Sequence, residues 1–416
     1  MTCESIRRAR MIAAVIACLV TTGRGLAAAA ETITFWSSGY SQEMQDWLRK
    51  EAFPSFEAAH SIRIDHSEIG WGAAREEKLV VAHAAGVGPD VYVNPGYEFG
   101  LPLDQFIARW PDRTQIDPAL WEAVRDRRSG VIYRVPQLAD FRGIAYHQRL
   151  FAEAGLEPQP PQSWDDMLQA ARKLTRTQEG EVLQSGFETV WGAPYVGSEY
   201  DWFLQQTGTQ LVSADLRTSQ IDSEEGLEAL RFMVELFRTS HPPGMAALSE
   251  ADFAQGKVGM ARGGPWVLRG IEENIPDDVG YIDVFAPQRS PAGPPIAMAF
   301  VNGLGISKQS TQPALAWAFI DFMLSDPIQA GLAPLTNQLV IRRSVATNME
   351  LAPIRAYAPW YRIMSFASIP GLFPGRSQAA PFLVDALHGR RSPEEAIRLM
   401  DDAAQVALDR YWSEAP

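Results

Sequence analysis

The chain of 416 residues is 46% hydrophobic and 21% charged, with 37 Lys and Arg against 50 Asp and Glu, a formal net charge of −13. These proportions are those of a globular protein, and the acidic balance makes its surface a poor partner for nucleic acid or an anionic membrane. No apolar run reaches membrane-spanning length, and the length calls for two domains rather than one core.

The first segment lies outside the fold. Arg7, Arg8 and Arg10 precede an apolar run from Met11 to Val20, and Ala28-Ala29-Ala30 follow. That is the charged, apolar and small-residue order of an export signal, cut near Ala30. Val15-Ile16-Ala17-Cys18 is a looser lipobox, the alternative that leaves a lipid-modified Cys18. The only cysteines, Cys3 and Cys18, both fall here. Once cut at Ala30 the chain has none, which excludes disulfides, thiolate catalysis and cysteine–metal sites. Loss of Arg7, Arg8, Arg10, Arg24 and Glu4 takes the net charge to −16.

A strand is expected over Ile33–Trp36, a helix near Gln42–His60, a strand over Ile62–His66, a helix around Ala73–Ala85 and a third strand at Asp90–Val93. This order predicts an α/β fold with a largely parallel sheet. Ser163 before Trp164, Asp222-Ser223 before the apolar face Leu227, Leu230, Val234 and Phe237, and Ser392-Pro393-Glu394-Glu395 are helix starts. Ser249 with Asp252 starts another helix, which Gly256 stops. Lys257–Arg262 then reads as a strand, Gly263-Gly264-Pro265 breaks it, and Trp266 opens the next helix. Ligands of open α/β sheets bind beyond the carboxyl ends of the strands, and a tryptophan there suits stacking on a sugar ring.

Catalytic signatures are missing. Gly256-Lys257 lacks the Ser/Thr and the upstream glycine of a phosphate loop, and neither H-E-x-x-H nor G-x-S-x-G occurs. His60, His66, His83, His147, His241 and His388 show no metal-like spacing. The expectation is a protein without catalytic activity, cofactor or metal; the enzymatic alternative is a secreted glycoside hydrolase, whose carboxylate pair no count excludes.

The motifs resemble a family. F-x-x-G-K-x-x-M-x-x-x-G-x-W at Phe253–Trp266 looks like the second-lobe pattern of family 1 extracellular solute-binding proteins, the sugar-type, maltose-binding-protein-like receptors of ABC importers. Ile33–Trp36, G-x-G-P-D-V at Gly86–Val91, Val135–Tyr146, Leu150–Met167, N-G-L-G-I-S at Asn302–Ser307, the helix Ala314–Leu324 and Gly389–Ala396 are similar to the family in order. His147 and Val340 depart from it, where asparagine and proline are usual.

The resemblance implies a two-lobed periplasmic-binding-protein fold of type II. Lobe 1 would span 31–137 plus 302–342 and lobe 2 138–300 plus 344–416, with hinge crossovers near 135–141, 297–301 and 341–344. It implies an exported periplasmic protein, expected to be a monomer, that captures a carbohydrate or polyol in the interlobe cleft. Hinge closure then delivers the ligand to the membrane permease. A phosphorylated polyol or other small solute, or service to a sensor, are the alternatives. The ligand candidates stand at strand ends or in the loops that follow. They are Trp36, Trp71 in its glycine-flanked loop, Asn94 and Tyr97, together with Trp191, Tyr195, Glu199, Tyr200 and Trp202 of an aromatic-rich loop between Phe187 and Gln205. Trp266, Asn302, Gly303 and Arg376 complete the set. A guanidinium at Arg376 would favour an acidic sugar or a phosphate. Asp140 and Arg142, at the first crossover, are read as hinge residues.

Overall fold

A computed structural model describes residues 31–413 apart from 71–72, 194, 265, 337, 347–366 and 369–375; the signal segment lies outside the described residues. The chain begins with β1 (Thr32–Ser37), then a helical stretch of α1 (Gln42–Trp47), one π turn and α2 (Phe53–His60), then β2 (Arg63–Glu68), α3 (Ala73–Ala84) and β3 (Val91–Val93). Two short helices, α4 (Asp104–Arg109) and α5 (Pro118–Val124), lead to the long strand β4 (Val135–His147). Next come α6 (Gln148–Glu153), α7 (Trp164–Leu174), β5 (Arg176–Gln178), β6 (Glu181–Glu188), α8 (Val196–Gln206) and α9 (Glu224–Ser240). After β7 (Val258–Gly263), α10 (Trp266–Asn274) and β8 (Ile282–Phe285), β9 (Ala297–Ile306) returns the chain. The last elements are α11 (Pro313–Met323), α12 (Asp326–Leu332), β10 (Leu339–Val340), α13 (Arg343–Ala346), β11 (Ala367–Ser368), α14 (Arg376–Leu387) and α15 (Pro393–Ser413).

Eight of the eleven described strands form one path, β2-β1-β3-β9-β4-β7-β6-β5, with β8 and β10 pairing β4 and β11 pairing β9. β1 runs parallel to β2 and β3, and β6 parallel to β7. The sheet is not largely parallel throughout, as the first five elements suggested. β4 and β9 are antiparallel to each other and to β3 and β7. The reason is their course. β4 pairs with β9 from Val135 to Arg142, then with β7 and β8 from Gly143 to His147, so it runs through both parts of the sheet.

Local chemistry accounts for the helix starts. Ser163 accepts the backbone N–H of Asp166, and Ser223 that of Gly226, satisfying donors a helix start leaves open. Ser249 and Asp252 form a reciprocal capping box, and Gly256 closes that turn at φ 71°. Two cores follow. One runs from β1–β3 and α11 across the joining strands to β7, β8 and α10; the other lies between β4, β6 and β7 and the helices α7–α9, α14 and α15.

The first core centres on a fully buried Phe319, whose ring lies 5.2 Å from Phe35, 5.9 Å from Phe53 and 5.4 Å from Phe56. Phe319→Ala removes that hub and should cost about 3–5 kcal/mol in urea unfolding; a loss within about 0.5 kcal/mol, the range of an ordinary surface change, would contradict this packing.

Candidate functional site

Polar side chains gather beyond the carboxyl ends of β1–β3 and along β4 and β9. Ser37 donates its hydroxyl to Glu68 Oε2 at 2.6 Å and lies 2.8 Å from His66 Nε2. With that hydrogen spent on Glu68, His66 donates to Ser37 through Nε2, so the proton of the neutral ring sits on Nε2. Glu68 Oε1 accepts the backbone N–H of Gly39 at 2.9 Å and of Gly70 at 3.0 Å, so one carboxylate gathers the loops after β1 and β2. The trio is not an activated serine, because the carboxylate sits on the serine rather than orienting the imidazole. Tyr40 continues the chain of contacts by donating to Gln137 Oε1 on β4 at 2.6 Å.

After β3, Asn94 turns through φ 55°. Its Nδ2 donates to Asn302 Oδ1 at 2.7 Å, its Oδ1 accepts the Gly303 N–H at 2.9 Å, and Asn302 Nδ2 donates to Gln338 at 3.0 Å. Gly303 is required there, since a Cβ would stand 2.5 Å from the Val135 carbonyl oxygen. Of the sequence candidates, Asn94, Asn302 and Gly303 are brought into direct contact. Two arginines that sequence reasoning missed lie close by. Arg75, on α3, donates to Ser38 Oγ at 3.1 Å and to the Val93 carbonyl, and it pairs with Glu76. Arg134 is 9% exposed and reaches the Pro95 carbonyl at 3.4 Å, while its Nε has no hydrogen-bond partner among the described residues. Burial, then the neighbouring charge of Arg75, pull its pKa down to about 10.

Asp140 and Arg142 alternate on β4, and Arg142 donates to Asp140 Oδ2 at 2.9 Å while its guanidinium lies 4.5 Å from the Phe300 ring. Asp140 is buried, and its Oδ1 has no hydrogen-bond partner among the described residues. A half-used carboxylate beside a guanidinium and an aromatic ring suits a ligand with both hydroxyls and an apolar face.

In the second lobe the expected loop between Phe187 and Gln205 is largely helix, and this corrects several assignments. Val196–Gln206 form α8, which turns Tyr200 and Trp202 inward. Tyr200 donates to the Gly226 carbonyl at 3.1 Å and Trp202 to that of Ile296 at 2.7 Å, and both side chains are core. Glu199 is buried too, with its Oε2 2.7 Å from Arg262 Nε on β7. Burial raises the Glu199 carboxyl pKa, opposed by Arg262 and Arg142. Trp191 packs edge-on against Phe187 and Phe237 and donates to the buried Glu188 at 3.1 Å. Tyr195, by contrast, is 52% exposed.

Trp36 faces α3, where Lys78 lies 4.9 Å from its ring and Ala74, Val81, Ala82 and Val87 complete a shallow groove of about 420 Å³. Tyr97 stacks on Arg128 at 4.1 Å. Trp71 lies outside the described residues, as do the side chains of Trp266 and Arg376, whose backbones open α10 and α14. Among the described residues no group of three His, Cys, Asp or Glu could hold a metal ion, and no helix is long and apolar enough to cross a membrane.

A family model described as bacterial extracellular solute-binding protein matches residues 39–330. A putative binding protein of Brucella abortus is 24% identical over 385 residues, covering 86% of this chain and 88% of its own. Among solved structures, an ABC transporter solute-binding protein of Thermotoga lettingae, bound with α-D-tagatose, is 26% identical with a TM-score of 0.78; the match covers 91% of this chain and all of that one. The sugar-binding protein MalE of Xanthomonas citri shares the fold at 22% identity and a TM-score of 0.73, covering 92% of this chain and 100% of its own.

His66 supplies a pH test of the geometry at β1 and β2. Burial, then the charge of Arg49, lower its pKa from 6.5 to about 4, and its Nδ1 has no acceptor among the described residues to receive a second proton. Between those values the unfolded chain binds more protons than the folded one, so stability falls as pH drops from 6.5 towards 4. His66→Gln should remove about 3 kcal/mol of that fall, read from urea unfolding at pH 7 and pH 4. An unchanged pH slope would contradict the neutral, half-buried imidazole.

Proposed function

The chain belongs to the bacterial extracellular solute-binding protein family, and from that membership we propose that it captures a carbohydrate or polyol between its lobes and presents it to the membrane permease of an ABC importer. The ligand of the Thermotoga lettingae protein supports the substrate class, and that protein's designation as an ABC transporter component supports the partner. The observation that carries the reading is Asp140. It is a buried carboxylate with one oxygen on Arg142, the other without a described partner, and Phe300 alongside, on the strand the two lobes share. Groups of this kind discriminate among sugars, because a ligand that leaves them unpaired is rejected.

The proposed division follows the expected boundaries. Lobe 1 is 31–137 plus 302–342, lobe 2 is 138–300 plus 344–416, and the hinges lie near 135–141, 297–301 and 341–344. Closure requires only that the ligand bind the closed arrangement better than the open one. Asn94, Asn302 and Gly303 form the first-lobe wall in this reading, and Tyr195 and Trp266 belong to the second. The protein works in the periplasm after removal of residues 1–30 and performs no chemistry on what it binds.

Arg75 and Arg134 favour a second reading, a ligand bearing a carboxylate or phosphate. Both cations are buried at the carboxyl ends of the first-lobe strands, where an oxyanion would relieve the cost of Arg134's incomplete pairing.

Both readings are tested by titrating the purified protein with D-tagatose, maltose, mannobiose, polyols, uronic acids and glycerophosphate while following tryptophan fluorescence and melting temperature. At least one neutral sugar or polyol should bind without being consumed. Trp266→Ala should weaken it by about 1 kcal/mol or more, and Asp140→Asn by about 1–3 kcal/mol. A panel without any response would sink the carbohydrate reading, products accumulating from a bound sugar would make the protein an enzyme, and binding confined to the anions would establish the second reading.

A further inference from the structure

The lobes also meet away from β4 and β9. Arg128 lies in the turn before β4, where Asp126 Oδ1 accepts the backbone N–H groups of Arg128 at 3.2 Å and Ser129 at 2.8 Å. Val124 and Ile132, on either side of that turn, are buried in the first core. The Arg128 guanidinium carbon stands 4.1 Å from the centre of the Tyr97 ring and 4.0 Å from that of Tyr411, and Nη1 donates to the Tyr411 carbonyl oxygen at 2.8 Å. Tyr97 follows β3 in the first lobe. Tyr411 is in the last turn of α15, a helix whose Ala396, Ile397, Met400, Ala404 and Leu408 are buried in the second core.

That helix is firmly held in its own lobe. Asp401 accepts the backbone N–H groups of Ile221 and Asp222 at 3.1 and 3.2 Å, and Gln405 accepts that of Ser219 at 2.9 Å. Trp412 donates to the Leu216 carbonyl at 2.7 Å, with Arg217 4.2 Å from its ring. Two adjacent residues therefore serve different lobes, Trp412 the second and Tyr411 the first.

We infer that Arg128 is an interlobe positioning residue, which ties the end of α15 to the loop after β3 through a tyrosine–guanidinium–tyrosine sandwich and so sets the lobe arrangement from which ligand is captured. The inference about capture rests on the proposed function; the clasp itself does not. Cation–π attraction requires the cation within about 6 Å of the ring centre. Rotation of one lobe on the shared strands moves the tip of a rigid helix relative to Arg128, so the sandwich forms in one arrangement and is lost in the other. A contact that favours one arrangement alters ligand affinity without touching ligand.

The test measures distance first. In a chain with Cys3→Ser and Cys18→Ser, nitroxide labels at Arg63→Cys and Glu181→Cys, on exposed positions of β2 and β6, report the interlobe distance by pulsed electron resonance without ligand. Arg128→Ala and Tyr411→Ala should each shift or broaden the distance distribution, whereas Arg217→Ala, which breaks only the contact to Trp412, should leave it unchanged. Melting curves confirm that each variant is folded. In the same variants, affinity for D-tagatose or maltose should change about fivefold or more with Arg128→Ala and stay constant with Arg217→Ala. Distributions identical to the parent's in both clasp variants would overturn the inference. So would an Arg217→Ala change as large as theirs, which would place the effect in the helix end rather than the clasp. If the parent binds neither sugar nor any other panel compound, the carbohydrate reading fails while the distances still decide the clasp.

Discussion

The structure depends on an antiparallel pair of strands that both lobes must share. β4 gives its first eight residues to β9 and its last five to β7 and β8, so one continuous strand joins the two parts of the sheet. The pair stays close because β9 carries Gly303 and Gly305, where a Cβ would run into the Val135 and Tyr133 carbonyls. A motion that keeps these hydrogen bonds must bend and twist the pair rather than separate it, which is the mechanical basis of hinge closure.

The same strands carry charge into the interior. Asp140, Arg134 and Gln137 are all buried on or beside β4, and each has one polar atom without a partner among the described residues. Such atoms cost stability where they stand. In the proposed function a bound ligand offsets part of that cost by pairing with them. The second lobe treats charge differently, pairing Glu199 with Arg262 and stacking Arg262 on Trp202 at 5.0 Å.

Much of the fold was legible because its signals are local. Ser163, Ser223 and the Ser249–Asp252 box cap as their residue types require, and alternation marked β1 through buried Ile33 and Phe35. The mixed sheet was not legible, since strand direction is decided by which lobe a strand returns to and no local pattern encodes it. Asn94 was placed just after β3 by the sequence, but Asn302 and Gly303 lie inside β9, and their contact with Asn94 is a long-range pairing that no local pattern encodes. Tyr200 and Trp202 were misassigned because aromatic density looks the same in a loop and in a helix facing its core; the spacing of Val196, Tyr200 and Phe203 was the available signal. Arg75 and Arg134 gave little warning, although a lone Arg262 within Val258–Gly263, a strand otherwise apolar or small, already demanded a buried partner.

In the proposed function, ligand sits against the shared strands. Hydrogen–deuterium exchange, with and without the sugar that binds most tightly, tests it directly. Ligand-dependent protection is expected at Asn94–Tyr97, along Val135–Arg142 and at Met298–Gly303. Protection confined to the groove between Trp36 and α3, with the shared strands unchanged, would contradict it.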